Sequence, residues 1–208
     1  MNVKLRPAVA GDAAALGAIL SDWIDTTPWM PRLHTRDEDR GFVGHLIVTT
    51  EVTVAELGGD PAGFLARDRE EIPALYLAGL ARGQGFGTAL LRRAQDAAER
   101  LTLWTFQANA GAIRFYHRAG FSEAERTDGA RNDEKLPDVR LVEHSALERD
   151  CARAGRFGKG GQHALSPAQF VLGGTEPRMD RRHLGRVDRE LADEALAARV
   201  ARAALHGD

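Results

Sequence analysis

Arg82-Gly83-Gln84-Gly85-Phe86-Gly87-Thr88 is the stretch on which the reading of this chain turns. An apolar, strand-like segment precedes it at 72–77, and an amphipathic helix pattern follows it, with Leu90, Leu91, Ala94 and Ala98 on one side. Glycines at alternate positions let the backbone bend tightly and clear side chains from the path of a ligand. The amide groups of such a turn point outward at a helix N-terminus, where the macrodipole favours an anion. A concave run of N–H groups suits a pyrophosphate, and Arg82 adds a fixed positive charge. No Gly-Lys-Ser/Thr ends the loop, so it is not a Walker A loop. Its G-x-G-x-G spacing also differs from the G-x-G-x-x-G of dinucleotide-binding turns.

On either side of the loop, the hydrophobic pattern predicts alternating elements. Upstream are a strand at 3–6, a helix at 13–24 capped by Asp12, and a second helix at 35–46 with acidic Asp37, Glu38 and Asp39 in its first turn. Two strands at 47–57 and 62–68 flank the hairpin signal Gly58-Gly59-Asp60, and a third follows at 72–77. Pro73 cannot donate a ladder hydrogen bond, so it belongs near the strand start or at a bulge. Downstream are a helix at 85–100, a strand at 101–106, a helix at 110–119 stopped by Gly120, and strands at 121–127 and 139–144. This order predicts a mixed α/β layer fold around one sheet.

The second informative segment is Asn109-Ala110-Gly111-Ala112-Ile113-Arg114-Phe115-Tyr116-His117-Arg118-Ala119-Gly120-Phe121. Asn109 suits a helix cap, Ala112 keeps one face small, and Phe115 anchors the helix in the core. Tyr116 points elsewhere and is expected to present its hydroxyl toward a cleft.

Together the two segments resemble the signature of the GCN5-related N-acetyltransferase (GNAT) superfamily. Its Arg/Gln-x-x-Gly-x-Gly/Ala loop reads here Arg82-x-x-Gly85-x-Gly87, and its Asn-x-x-Ala-x-x-Phe-Tyr-x-x-x-Gly-Phe element runs from Asn109 to Phe121. The resemblance implies a central mixed, mostly antiparallel sheet with helices on both faces over residues 1–145. It implies acetyl-CoA as co-substrate. Leu77 and Gly79 would meet the pantetheine arm, Arg82, Gly83, Gln84, Gly85, Phe86, Gly87 and Thr88 the pyrophosphate, and Asn109 and Ala112 the coenzyme's far side. Tyr116 stands where the family commonly places the proton donor to the departing thiolate; the other reading makes it a coenzyme wall. Glu71, eleven residues before Arg82, stands where some members carry a catalytic glutamate, and a solvated surface carboxylate is the alternative. Main-chain donors near Leu77 would polarise the thioester carbonyl.

The family's acceptor site often lies behind the loop between the first two helices, which here carries Trp29, Met30 and His34. A plain hydrophobic plug is the alternative for these bulky groups, and a solvated helix start for residues 37–39. The expected acceptor is a small-molecule primary amine. The alternatives are a protein or peptide N-terminus or lysine, and a non-catalytic acyl-CoA-binding domain.

Composition sets the remaining bounds. The 208 residues are 43% hydrophobic and 28% charged, as in a globular domain with an appendage. A net charge of -2 gives no reason to expect nucleic acid or anionic membrane as partner. The single cysteine, Cys151, allows no intrachain disulfide and sits in no catalytic motif, and a cytoplasmic setting is expected. No signal-like start, membrane-spanning run or metal-ligand spacing is legible. From residue 146 the chain turns polar and glycine-interrupted and reads as a partly flexible extension with a helix at 188–206. That helix would suit docking to a partner or a second copy of the chain.

Overall fold

The structure is a computed structural model in which residues 3–143 are described; the predicted extension from residue 146, its helix at 188–206 and Cys151 lie outside them. The elements are β1 (Lys4–Pro7), a 3-10 turn (Ala10–Asp12), α1 (Ala13–Asp25), α2 (Arg36–Thr49), β2 (Glu51–Leu57), β3 (Asp60–Asp68), β4 (Glu71–Leu77), a 3-10 turn (Gly79–Ala81), α3 (Phe86–Gln95), β5 (Thr102–Phe106), α4 (Ala110–Arg118), β6 (Phe121–Arg126) and β7 (Asp138–Glu143). The strands form one seven-stranded sheet in the order β1-β2-β3-β4-β5-β7-β6. Every neighbouring pair is antiparallel except β4 and β5.

Two cores sit on opposite faces of this sheet, because successive side chains of a strand point to opposite sides. On one face Leu16, Ile19 and Leu20 of α1 and Val43 and Leu46 of α2 pack on Val52, Val54, Phe64 and Ala74. On the other, Leu90, Leu91 and Ala94 of α3 and Tyr116 of α4 pack with Leu65, Leu103, Phe121, Val139 and Leu141. This is the mixed, mostly antiparallel sheet with helices on both faces that the signature implies. No helix among the described residues is long and apolar enough to cross a membrane.

Local signals explain most element ends. Gly58 and Gly59 take φ of 66° and 102°, the left-handed pair that a two-residue hairpin between Leu57 and Asp60 requires. Thr35 caps α2 by accepting from the Glu38 amide, while the Glu38 carboxylate accepts from the Thr35 amide. Asn109 caps α4 through its bond from the Ala112 amide at 3.1 Å.

Four expectations need correcting. Asp12 precedes α1 but makes no side-chain cap bond. Its carboxylate instead takes the Arg6 guanidinium at 2.7 and 2.9 Å and the Val9 amide at 2.8 Å. Residues 47–49 finish α2, so the strand expected from 47 begins at Glu51. The helix of the glycine loop ends at Gln95, not near residue 100, because Leu101 must be delivered fully buried to the start of β5. Asp39, read as part of a solvated helix start, is buried and bonded to Ser21.

Candidate active site

Strand β4 positions the site. Its pairing to β3 runs from Asp68↔Glu71 to Gly63↔Leu77, with a register shift between Ala66 and Asp68. One β3 residue, Arg67, therefore faces two of β4, Ile72 and Pro73, which is a bulge and the place where a proline costs no ladder bond. Beyond the bulge Leu75 and Leu77 share a core with Ile72, whereas Ala74, Tyr76 and Ala78 join the α1/α2 core. In an unbroken strand Ile72 would lie with Ala74. The extra residue flips the alternation, and continuing it outward carries Glu71 to the α1/α2 side.

On its other edge β4 meets β5 only at Glu71↔Thr102, supported by the Thr102 amide bonding the Glu70 carbonyl at 2.8 Å. The two parallel strands then part. From there to Leu77 the β4 edge has no register partner in β5, so it offers backbone groups to a ligand lying in the gap. The loop at residues 78–85 closes the end of this gap.

Within the loop the glycines have different work. Gly83 and Gly85 have φ of 73° and 88°, with open space where a side chain would stand. Gly87 is instead a packing position: a Cβ there would meet Leu77 Cδ1 at 3.3 Å and Phe115 Cζ at 3.6 Å. Leu77 lies between Gly87 and Gly63, where a Cβ on Gly63 would collide with its Cδ2 and stand 2.8 Å from the Tyr76 carbonyl oxygen. Thus α3 seats its first turn directly on the end of β4.

The first intrahelical bond of α3 runs from the Ala89 amide to the Gly85 carbonyl at 2.9 Å. Helix geometry then leaves the amides of Phe86, Gly87 and Thr88 without intrahelical acceptors, at the positive end of the dipole. Arg82 is exposed, its Nε donating to the Leu77 carbonyl at 3.2 Å, and Gln84 donates to the Leu80 carbonyl. These features fit a pyrophosphate. Phe86 can contribute only its main chain, since its ring is buried in the core. Gly79 opens the 3-10 turn and is exposed.

Tyr116 belongs to the core on the α3 and α4 side of the sheet. Its ring is 6% exposed and packs against Phe115 and Phe121 at 5.1 and 5.4 Å between centroids. Burial, with the Tyr76 phenol nearby as a smaller cause, pushes its ionisation well above the ordinary tyrosine range. The phenol is therefore a buried group rather than one open to solvent. Glu71 is half-buried, five residues before Tyr76, or about 16 Å along the strand. Glu71 thus stands at the end of the gap where β4 and β5 still pair.

A row of rings forms the gap's α1/α2 side. Tyr76 meets Trp23 at 5.4 Å, Trp23 meets Trp29 at 5.8 Å, and Trp29 meets Phe106 at 5.8 Å, each edge-on. Tyr76 belongs to β4 and Phe106 to β5, so the two tryptophans bridge the parted strands. Trp29 is the middle ring of this row, and Met30 beside it is half-buried. His34 is exposed, and what it contributes to the structure is its carbonyl, which accepts from Arg32. Periodicity assigns Trp23 to the core and gives no role to Tyr76 or Phe106. A hollow of about 390 Å³ between β1, β2 and the end of α3 shares no residue with the glycine loop or this wall.

Comparison with known proteins agrees with this geometry. Residues 17–121 match the family model described as the acetyltransferase (GNAT) family. The chain is 34% identical over 113 residues to an uncharacterised N-acetyltransferase of Methanocaldococcus jannaschii, covering 47% of this chain and 45% of that protein, so it spans under half of that relative's length. It is 33% identical over 143 residues to the peptidyl-lysine N-acetyltransferase YjaB of Salmonella typhimurium, covering 68% of this chain and 99% of that protein. Its fold matches a GNAT-superfamily phosphinothricin acetyltransferase of Sinorhizobium meliloti solved with acetyl-CoA, with TM-score 0.56 and 18% identity over 69% of this chain and 88% of that one. A sheet parted beside a glycine-rich helix N-terminus, and a family match across both, lead to one conclusion: this chain belongs to the GNAT family and is an N-acetyltransferase of that family.

Proposed function

We propose that the enzyme transfers the acetyl group of acetyl-CoA to a primary alkyl amine, with a peptidyl lysine as the acceptor class. The parting of β4 from β5 after a single register pair carries the reading, because it leaves a backbone-lined slot leading from the glycine loop toward the aromatic wall. The pyrophosphate sits on the amides at 86–88 beside Arg82, and the arm follows β4 past Gly79 and Leu77. Asn109 and Ala112 at the start of α4 flank it.

In the reaction the amine nitrogen forms a bond to the thioester carbon and the carbon–sulfur bond breaks. One proton leaves the ammonium and one reaches the sulfur. A free alkyl amine has a pKa near 10 and arrives protonated at neutral pH. Glu71 accepts that proton through water, since it stands at the far end of the gap. Tyr116 serves the sulfur. At ordinary values, about 10 for the phenol and about 8.5 for a thiol, full transfer runs uphill by about 2 kcal/mol, and burial of Tyr116 steepens it. The hydroxyl therefore acts best as a neutral donor whose hydrogen bond strengthens as negative charge grows on sulfur.

The peptidyl-lysine reading is supported by the Salmonella relative, nearly all of whose length this chain covers. A small amine is the second reading, favoured by the bridged rings of Trp23, Trp29 and Phe106, which would enclose a compact apolar group. Thiol release from acetyl-CoA decides between them, measured with single-lysine peptides, the same peptides blocked at Nε, and a panel of small amines. The proposal expects turnover with the free lysine only. Faster saturation by a small amine moves the assignment to the second reading, and no thiol release with any amine overturns both.

A further inference from the structure

We propose that Arg32 is a positioning residue for the acceptor: it fastens the loop over residues 26–35 so that Trp29 stays across the gap between β4 and β5. This rests on the reading that the acceptor enters beside that loop. The loop has neither helix nor strand. Local bonds hold its two ends: the Thr26 and Thr27 hydroxyls on α1 carbonyls and the Met30 amide on the Thr27 carbonyl at 3.0 Å at the first, and the Thr35–Glu38 cap at the last.

The tertiary bonds of the second half come from one guanidinium. Arg32 Nε donates to Asp25 Oδ1 at 2.5 Å, at the end of α1. One terminal nitrogen donates to the His34 carbonyl at 2.7 Å and to Asp39 Oδ2 of α2 at 3.0 Å. The other donates to the Ser21 carbonyl of α1 at 3.0 Å. Asp39 is only 4% exposed and also accepts from the Ser21 hydroxyl at 2.5 Å. Both helices and the loop are therefore tied at a single planar group. Lysine cannot reproduce this, because its ammonium is a point donor while guanidinium presents five N–H bonds in a fixed fork. Without a cation there, the buried Asp39 carboxylate keeps a hydroxyl as its partner, an unfavourable state that loosens the α1–α2 junction.

Trp29 sits in the turn closed by the Met30–Thr27 bond, three residues before the clamp that ties the far half of the loop to both helices. Its contacts to Trp23 and Phe106 are edge-on ring contacts, each weak against the conformational entropy of ordering the loop. None of the clamp residues belongs to the glycine loop. Loosening it should therefore disturb the acceptor side and leave coenzyme binding intact.

The test uses the full chain with Arg32→Met and Arg32→Lys, each also combined with Trp29→Phe. Acrylamide quenching of tryptophan fluorescence reads the loop directly. Quenching should rise in Arg32→Met, by less in Arg32→Lys, and the rise should vanish when Trp29 is phenylalanine. Calorimetric affinity for acetyl-CoA should stay within about twofold, while KM for a single-lysine peptide rises about tenfold with a smaller change in kcat. Unchanged quenching in a folded Arg32→Met protein overturns the proposal, as does a loss of acetyl-CoA affinity matching the loss of acceptor affinity. If Arg32→Met does not fold, Arg32→Lys carries the same readings. If the parent chain binds acetyl-CoA but acetylates no peptide, the acceptor assignment fails instead, and the quenching result alone decides the clamp.

Discussion

Two residues test the coenzyme half of the site. Gly85 has a left-handed backbone at the mouth of α3, with nothing within 4 Å of where a Cβ would stand. Gly85→Ala adds only backbone strain, about 1 kcal/mol. Gly85→Glu adds the same strain plus a negative charge where the pyrophosphate is expected. Calorimetry with acetyl-CoA should show a modest loss for the first and at least about a hundredfold loss for the second, the scale of a like-charge contact at a binding surface. Tyr116 is the second. Tyr116→Phe keeps the ring stack with Phe115 and Phe121 and deletes only the donor. Turnover should fall about 10²–10⁴-fold with acetyl-CoA affinity retained. Near-parental turnover, measured where chemistry limits the rate, would leave Tyr116 a wall residue only.

Strand β4 links these residues, and its two ends make separate predictions. At the start, the Pro73 bulge carries Glu71 to the α1/α2 face. Glu71→Gln should lower the rate most near neutral pH and recover at high pH, where the amine arrives neutral, while Tyr116→Phe should not recover, because raising pH supplies no acid. A Glu71→Gln deficit that is equal at every pH in steady-state profiles would assign the carboxylate to acceptor positioning. At the other end, Gly63 in β3 leaves the space that Leu77 occupies under Gly87. Gly63→Ala meets the Leu77 side chain and the Tyr76 carbonyl, and should cost about 1–3 kcal/mol by overpacking. Chemical denaturation would read that cost, and acetyl-CoA affinity should weaken with it because Leu77 seats the glycine loop. A stable variant with parental affinity would show that β4 yields there without consequence.

For the fold taken together, an ionic group fixes how stability responds to acid. Arg6 of β1 bonds Asp12 at 2.7 Å ahead of α1 and Glu56 of β2 at 2.5 Å, and Lys4 adds a contact to Glu56 at 2.7 Å. The Arg6 hydrogen bonds hold the Asp12 carboxyl below its ordinary range, and Lys4 followed by Arg6 does the same for Glu56. Both groups bind protons more weakly folded than unfolded. Their stabilisation is therefore complete above the unfolded values, about pH 4, and is lost as pH falls through the folded ones. The thermal midpoint should decline through that acid window. Arg6→Met should lower it at neutral pH and flatten the decline below pH 4; a parallel acid limb in the variant would assign the decline to other carboxylates.

Local chemistry along the chain dictates what the backbone must do at each turn and cap. The φ > 0 positions at Gly58, Gly59 and Gly85, the caps at Thr35 and Asn109, and the stop at Gly120 depend on a residue and its near neighbours. Together with hydrophobic period they are enough to place the elements and the family signature. Where those elements part, and what crosses the gap, depends on contacts between residues far apart in the chain. Helix-forming residues 96–100 leave α3 because Leu101 must enter the core. Glu71 takes its face from a bulge defined only by pairing with β3. Trp23, Tyr76 and Phe106 read as apolar positions, and periodicity says which side is inward without saying which inward positions border a gap. Arg32 and Asp39 look like two surface charges seven residues apart. Only the crossing of α1 and α2 buries the carboxylate and makes the arginine its partner.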